Sequence, residues 1–121
     1  MPAELLHIGP LSDDALDAAA DFHARLLPGI EATLGGGADP LTLVFLPAGY
    51  EHRAWRLAAV QGLARRFAPS RINALASGDG AAINAAARWL QGAGGVTGQL
   101  LALDGTGADG TGAGPMLYQG G

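Results

Sequence analysis

The sequence predicts an α/β domain built on one four-stranded parallel sheet. Short apolar runs recur along the chain, and most of them are closed by glycine, proline or aspartate. Segments with apolar residues at helical spacing lie between consecutive runs. One run is apolar at all but one position, as is typical of a strand buried on both faces of a parallel sheet. Alternating strands and helices imply right-handed crossovers between parallel strands. We therefore expect the order β-α-β-α-β-α-β, with helices on both faces of the sheet.

The first strand and the first helix are marked by their end signals. Residues 4–8 form a short apolar run that ends at Gly9-Pro10, which favours a strand. Ser12 stands ahead of two aspartates, and a hydroxyl cap followed by acids is typical of a helix start. The helix is expected over residues 12–34. An interruption is expected near its end, because Pro28 lacks the N–H that a helix interior needs.

The later elements continue the same alternation. Residues 41–46 are apolar apart from one threonine and lie between two prolines, so they are expected to form the buried strand. The remaining predicted elements are a helix over 51–67, a strand over 71–76, a helix over 81–90 and a strand over 99–103. Residues 1–105 are assigned to one domain. Residues 106–121 are assigned to a glycine-rich tail, whose composition predicts mobility.

Composition and charge exclude several classes of function. The net charge is −4, and the seven arginines form no extended basic run, so no nucleic-acid partner is expected. The absence of cysteine excludes disulfides, thiolate metal sites and cysteine nucleophiles. No signal peptide is recognised, and no apolar run approaches the ~18 residues of a membrane span. We therefore expect a cytoplasmic protein with no membrane partner.

Histidines and a short polar segment are the candidates for binding chemistry. His7, His23 and His52 include no pair at the i, i+4 spacing of a helical zinc site, so no metal is expected. Tyr50, Glu51 and His52 follow the second strand, at the sheet edge where α/β proteins bind ligands. A Glu–His pair can do acid–base work. The interpretation that we favour is a solvated helix start, at which the helix dipole favours Glu51.

Three stretches resemble the short-chain dehydrogenase/reductase family. Residues 96–105, Val-Thr-Gly-Gln-Leu-Leu-Ala-Leu-Asp-Gly, resemble that family's last strand, and residues 71–78 resemble its sixth strand and the turn after it. Residues 58–64 resemble the helix after its catalytic lysine, and residues 26–30 resemble more weakly the end of its fourth helix. The shared order implies the C-terminal half of a Rossmann-like fold. It also implies that the first two helices lie on one face of the sheet and the third on the other.

The departures from the family pattern concern its cofactor and its catalytic residues. The chain begins near the family's fourth strand, so the glycine-rich turn that holds the pyrophosphate has no counterpart, and no NAD or NADP is expected. The positions of the family's serine, tyrosine and lysine hold Ala48, Arg53 and Leu57. Tyr50 cannot replace the tyrosine, because the residue four positions later is Ala54 and not lysine. The resemblance therefore implies a degenerate, catalytically silent member without a cofactor.

A role as an interaction protein is the function that these departures lead us to expect. The first strand, internal in the family, would be an open sheet edge. The resemblance also implies one subunit contact through the helices over 12–34 and 51–67, and another through the helix over 81–90 and the strand over 99–103. The expected partners are further copies, in a homodimer or tetramer, or a full-length dehydrogenase. The residues expected to anchor such contacts are Phe22, Leu26, Trp55, Ala59, Leu63 and Trp89.

A small ligand-binding protein or enzyme is the alternative. Its site would be formed by Tyr50, Glu51 and His52 together with Ser77 and Asp79, in loops at the carboxyl ends of the second and third strands. Close packing of these loops favours the interaction role, whereas a concave site with converging polar groups favours ligand binding.

Overall fold

Four parallel strands form the sheet, and each strand pairs with its neighbour in the sequence. The computed structural model describes residues 3–103. Its elements are β1 (Glu4–His7), α1 (Ala15–Asp21), α2 (Leu27–Gly35), β2 (Leu41–Phe45), α3 (Arg53–Arg66), β3 (Ile72–Ala76), α4 (Gly80–Gly92) and β4 (Leu100–Ala102). The strand order is β1-β2-β3-β4, which confirms the predicted Rossmann-like α/β fold. The predicted tail, residues 106–121, lies outside the described residues.

A π-helical turn, Phe22–Leu26, divides the predicted first helix into α1 and α2. Leu27 donates its backbone N–H to the carbonyl of Phe22, five residues earlier. Pro28 follows directly and has no N–H to donate, so the wider turn occurs where the regular helical bonding pattern is interrupted anyway. The interruption that Pro28 predicts is therefore present, and the helix continues beyond it.

The first helix begins two residues later than its predicted cap indicates. Asp14, not Ser12, is the N-cap, because its carboxylate accepts a hydrogen bond from the N–H of Asp17 at 3.0 Å. The hydroxyl of Ser12 accepts from the N–H of Asp14, also at 3.0 Å. Serine and aspartate are both common N-cap residues, so residue type alone does not distinguish Ser12 from Asp14. In the structure, the hydroxyl of Ser12 bonds within the turn just before the helix.

The helices cover the two faces of the sheet unequally, as the resemblance implies. α1, α2 and α3 share one face, where Phe22, Phe45 and Val60 are fully buried in one apolar cluster. α4 lies alone on the other face and packs against side chains of β2, β3 and β4. Successive side chains of a strand point to opposite faces, so Phe45 belongs to the first cluster and Val44 to the second.

Two strands are internal and two are edges within residues 3–103. Every residue of β2 is buried, whereas three of the four residues of β1 are exposed. The buried side-chain amide of Asn73 holds the segment that leads into β4. It donates to the carbonyl of Val96 and accepts from the N–H of Gln99, both at 3.0 Å. This pairing fixes where β4 enters the sheet.

Candidate functional site

Two adjoining cavities lie at the carboxyl end of the sheet. The first, which we call the β1–β2 cavity, has a volume of about 360 Å³, and its lining includes Ser12, Asp13, Glu51, His52 and Arg56. The second, which we call the β3–β4 cavity, has a volume of about 340 Å³, and its lining includes Tyr50, His52, Arg53, Arg56, Leu100 and Ala102. The predicted edge for a ligand site is thus concave, and two arginines line it.

His52 is buried, and both nitrogens of its ring lie within hydrogen-bonding distance of other groups of the chain. It is 4% exposed, and its Nε2 lies 2.9 Å from the carbonyl oxygen of Asp13. The indole Nε1 of Trp55 donates to Nδ1 of His52 at 3.3 Å. Both ring nitrogens are therefore engaged by groups of the chain itself, and neither is available to pair with Glu51.

Tyr50 and Glu51 are exposed residues of the short 3₁₀ turn, Tyr50–His52, that leads into α3. The carboxylate of Glu51 lies over the backbone of Gly49, where a Cβ atom would come within 2.8 Å of its carboxyl carbon. Tyr50 is 80% exposed. Glu51 lines the β1–β2 cavity and Tyr50 the β3–β4 cavity, whereas His52 lines both.

Ser77 and Asp79 form the cap of α4 and line neither of the two cavities. The buried hydroxyl of Ser77 accepts from the N–H of Asp79 at 3.0 Å. The carboxylate of Asp79 accepts from the N–H of Ala81 at 3.1 Å. The structure therefore does not bring these two residues together with Tyr50, Glu51 and His52 as the alternative ligand site requires, because both serve the helix start.

Two of the three positions of the family's catalytic residues line these cavities, and all three carry different chemistry. Ala48 lines both cavities but has no hydroxyl, and Arg53 begins α3 and lines the β3–β4 cavity. Leu57 is half-buried and packs against the apolar cluster of the first face. A guanidinium and an aliphatic chain cannot act as the phenol–ammonium pair that the family uses.

Arg56 is the residue of this region that the sequence reasoning missed. Its side chain is 7% exposed, and burial lowers the pKa of its guanidinium. Nη1 donates to the carbonyl of Leu46 at 3.0 Å, while the buried Nε has no hydrogen-bond partner. A signal was present, since positions 56, 60 and 63 follow the i, i+4, i+7 spacing of the buried side of α3.

Residues 3–103 contain no group of three histidine, aspartate or glutamate side chains that could hold a metal ion. The three histidines serve different parts of the structure. His7 is exposed at the end of β1, and His23 lies 2.7 Å from the carbonyl of Ala19 on its own helical segment.

The six predicted contact residues divide between the core and the surface. Phe22 and Leu63 are 0% and 3% exposed, and Ala59 is buried beside them, so these three belong to the core of the chain itself. Leu26 and Trp55 are half-buried against the same cluster. Trp89, at 43% exposure, is the member of the set that stands on the surface. Apolar periodicity marks a buried stripe without telling whether the same chain or a partner covers it.

The sheet order, the crossover helices and the cavities at the carboxyl edge define the chain as a Rossmann-like α/β protein. A family model described as short chain dehydrogenase-like protein matches residues 6–103. The chain therefore belongs to this SDR-like family. No curated protein and no solved structure matches it. Within residues 3–103, no helix has the length and apolar character needed to cross a membrane.

Proposed function

We propose that the chain is a non-catalytic, SDR-like interaction protein of the cytoplasm. It acts through contacts with a second copy or with a full-length short-chain dehydrogenase. The observation that carries this proposal is the outer edge of β1, against which no strand pairs within residues 3–103. An exposed strand edge presents a row of unpaired N–H and C=O groups, which is a template for pairing with another chain.

The backbone groups on this edge belong to alternate residues. Glu4 donates its N–H to the carbonyl of Pro40, and Ile8 donates to the carbonyl of Val44, so these residues face β2. Leu5 and His7 alternate with them and present their backbone groups to the opposite side. Leu5 is also 37% exposed, which places an apolar side chain beside the open edge. Two such edges related by a two-fold axis would pair antiparallel.

The outer surface of the helices supports a second contact. Leu16 on α1 is 82% exposed, and a shallow groove of about 180 Å³ runs between the π-helical turn and α3. Ala58 and Gly62 lie on the α3 side of this groove, and such small residues allow close approach of a partner helix. A specific interface buries about 1,000 Å² or more, which four edge residues cannot supply by themselves. Edge pairing and helix packing together approach that size.

The residues at the family's catalytic positions support a role without catalysis. Ala48 lacks a hydroxyl to orient a carbonyl, and Arg53 lacks the phenol that would exchange the proton. Leu57 supplies no ammonium to lower the pKa of any neighbouring acid. None of the three can perform the role that the family assigns to its position.

Sedimentation velocity of edge variants tests the proposal. Leu5→Pro removes one outward N–H and leaves the pairing of β1 with β2 intact, because the N–H of Leu5 does not face β2. Leu5→Ala is the matched control, since it shortens the same side chain and keeps the N–H. We expect the native chain and Leu5→Ala to sediment as dimers or larger species at micromolar concentration, and Leu5→Pro to dissociate.

A second assay covers the case in which the partner is a dehydrogenase. The native chain would then be a monomer alone and would co-purify with that enzyme from its source cell, and Leu5→Pro would not. A monomer that captures no dehydrogenase contradicts the proposal.

Binding of a small molecule is the second candidate function. It is favoured by the two cavities at the carboxyl edge and by Arg56, whose buried guanidinium lines both of them. Enzymes and binding proteins with open α/β sheets place their ligands at this edge. This candidate is compatible with an interaction role, because the edge of β1 and the β3–β4 cavity are formed by different residues.

A further inference from the structure

We infer that the β3–β4 cavity binds a small organic carboxylate with an apolar chain, and that the Arg56 guanidinium recognises the carboxylate. This inference rests on the second candidate function, ligand binding, and adds the site and the chemical class of the ligand. Arg56 does not occupy any of the three positions at which the resemblance places catalytic residues. Its role therefore has to be derived from its own surroundings.

Within residues 3–103, the guanidinium of Arg56 is buried without a counter-ion. The hydrogen bond from Nη1 to Leu46 is the one that residues 3–103 give it, and Nε is buried without any acceptor. Neither aspartate nor glutamate forms an ion pair with it in this part of the chain. A buried cation without a paired charge destabilises a protein, so a bound anion would supply the missing counter-charge.

Two aromatic rings stabilise the cation without accepting a hydrogen bond from its N–H groups. The Cζ atom of Arg56 lies 4.5 Å from the ring centre of Phe45 and 5.8 Å from that of Trp55. Such cation–π contacts favour the charge and hold the guanidinium in place. The rings hold the plane of the guanidinium, and Nη2, which has no hydrogen bond within residues 3–103 and is not buried as Nε is, remains available to a ligand.

The charges around the two cavities direct an anion to the β3–β4 cavity. Asp13 and Glu51 line the β1–β2 cavity and would repel an anion there. Among residues 3–103, the lining of the β3–β4 cavity includes Arg53 and Arg56 and no carboxylate. Opposite charge attracts an anion most where the surroundings are partly shielded from water, as they are beside Arg56.

The rest of this lining fits an apolar chain. Ala76 at the end of β3, Leu100 on β4 and Leu103 just after β4 also line this cavity. The volume of about 340 Å³ is at the lower end of the range for small-molecule sites and suits a chain of several carbons. A carboxylate also matches the planar donor pair of a guanidinium. Inorganic phosphate would satisfy the charge but would leave the apolar half in contact with water.

Fluorescence titration with hexanoate tests the inference. Trp55 contacts Arg56 and reports on its surroundings, and Trp89→Phe removes the signal of the exposed indole. In this background we expect saturable binding of hexanoate at millimolar concentration or below, confirmed by calorimetry. Equally long but uncharged 1-hexanol, and inorganic phosphate without a chain, should each bind about tenfold more weakly or worse, because each lacks one half of the recognition.

Three variants assign the binding to this cavity. Arg56→Met keeps most of the side-chain volume and should weaken hexanoate by about tenfold or more. Ala102→Leu fills the cavity from an exposed strand position and should abolish binding even if Arg56→Met fails to fold. Ala32→Leu makes the same change at an exposed position of α2 that does not line the cavity, and it should bind hexanoate as the parent chain does.

The outcomes separate this inference from the function on which it rests. Binding of hexanoate that is lost in Ala102→Leu and weakened in Arg56→Met supports the inference. Equal binding of 1-hexanol and hexanoate overturns the carboxylate assignment and leaves ligand binding standing. Hexanoate binding that Ala102→Leu leaves unchanged overturns the location of the site. If neither hexanoate nor 1-hexanol binds, the inference and the ligand-binding function both fail.

Discussion

The indole of Trp55 and the imidazole of His52 are joined by a hydrogen bond that determines which nitrogen of the histidine carries the proton. Nε1 of Trp55 donates to Nδ1 of His52 at 3.3 Å, so Nδ1 is the acceptor. The proton of the neutral ring is therefore on Nε2, which donates to the carbonyl of Asp13 at 2.9 Å. These two hydrogen bonds connect α3 to the loop before α1, and His52 and Asp13 lie 39 residues apart in the sequence.

Replacement of His52 by phenylalanine tests these two hydrogen bonds. His52→Phe keeps a ring of similar size but leaves the indole N–H and the Asp13 carbonyl without partners in a part-buried place. We expect a loss of about 2 to 4 kcal/mol in the free energy of unfolding, measured with urea, since each unsatisfied group costs about 1 to 3 kcal/mol. His23→Phe is the control at an exposed histidine and should change stability by about 0.5 kcal/mol or less. Equal losses in the two variants would contradict the structural role.

Asn73 offers a second test of a buried polar contact. Asn73→Ala removes the amide that binds Val96 and Gln99 and leaves both backbone groups unsatisfied. We expect a loss of about 2 to 4 kcal/mol in the free energy of unfolding and faster hydrogen exchange of the β4 amides. Asn84→Ala changes an exposed asparagine on α4 and should be nearly neutral. Retention of native exchange rates in β4 of Asn73→Ala would show that this amide does not hold the strand.

Asp21 and Arg25 give a prediction for acid pH. The hydrogen bond from Arg25, together with the attraction of its charge, lowers the pKa of Asp21 in the folded chain. A carboxyl with a lowered pKa contributes stability above its ordinary pKa and loses that contribution as the pH falls through the folded value. The native Tm should therefore slightly exceed that of Asp21→Asn at neutral pH, and the difference should vanish in strong acid. Arg25→Gln should show the same pattern, and salt should reduce it, because the pair is exposed.

The catalytic positions predict an inactive protein. With NAD or NADP and a panel of carbonyl compounds, the purified chain should give no turnover above background, because Ala48, Arg53 and Leu57 supply no acid–base pair. Loss of such a group alone lowers the rate of an enzyme by ~10² to 10⁴. A full-length dehydrogenase, assayed in parallel, is the positive control. Turnover that survives purification to homogeneity and scales with the amount of the chain would refute this prediction.

A charge on the outer surface of α3 tests the helical contact. Ala59 is unsuitable for this purpose, because it is buried in the chain's own core. Ala58 is exposed and lines the groove, so Ala58→Glu should leave the fold intact and place an unpaired carboxylate within the proposed interface. Sedimentation should then show dissociation, whereas Asn84→Glu on the opposite face should keep the native assembly. Identical sedimentation of both variants would exclude α3 from the contact.

The fold was predictable because its signals are local. The apolar stretch at 41–46, the helical spacing between strands and the resemblance at 96–105 each depend on neighbouring residues, and together they define the sheet and its two faces. The π-helical turn and the cap at Asp14 were not predictable in detail, because several side chains nearby fit those positions equally well.

The candidate site was less predictable because it depends on contacts between distant segments. Tyr50, Glu51 and His52 were placed correctly at the carboxyl edge, but the engagement of His52 with Asp13 leaves no trace in the local pattern. Ser77 and Asp79 are polar residues after a strand, and that pattern describes a helix cap as well as a ligand site. Arg56 occupies a helical position that the apolar spacing marks as buried. A charged residue at such a position was the feature in the sequence that indicated this part of the site.

The sheet order has a consequence for how the chain is made. Each of β2, β3 and β4 pairs with the strand synthesised just before it, at a distance of roughly 30 residues, the length of one β-α-β unit. As the chain leaves the ribosome, each of these three strands therefore finds its partner already outside the exit tunnel.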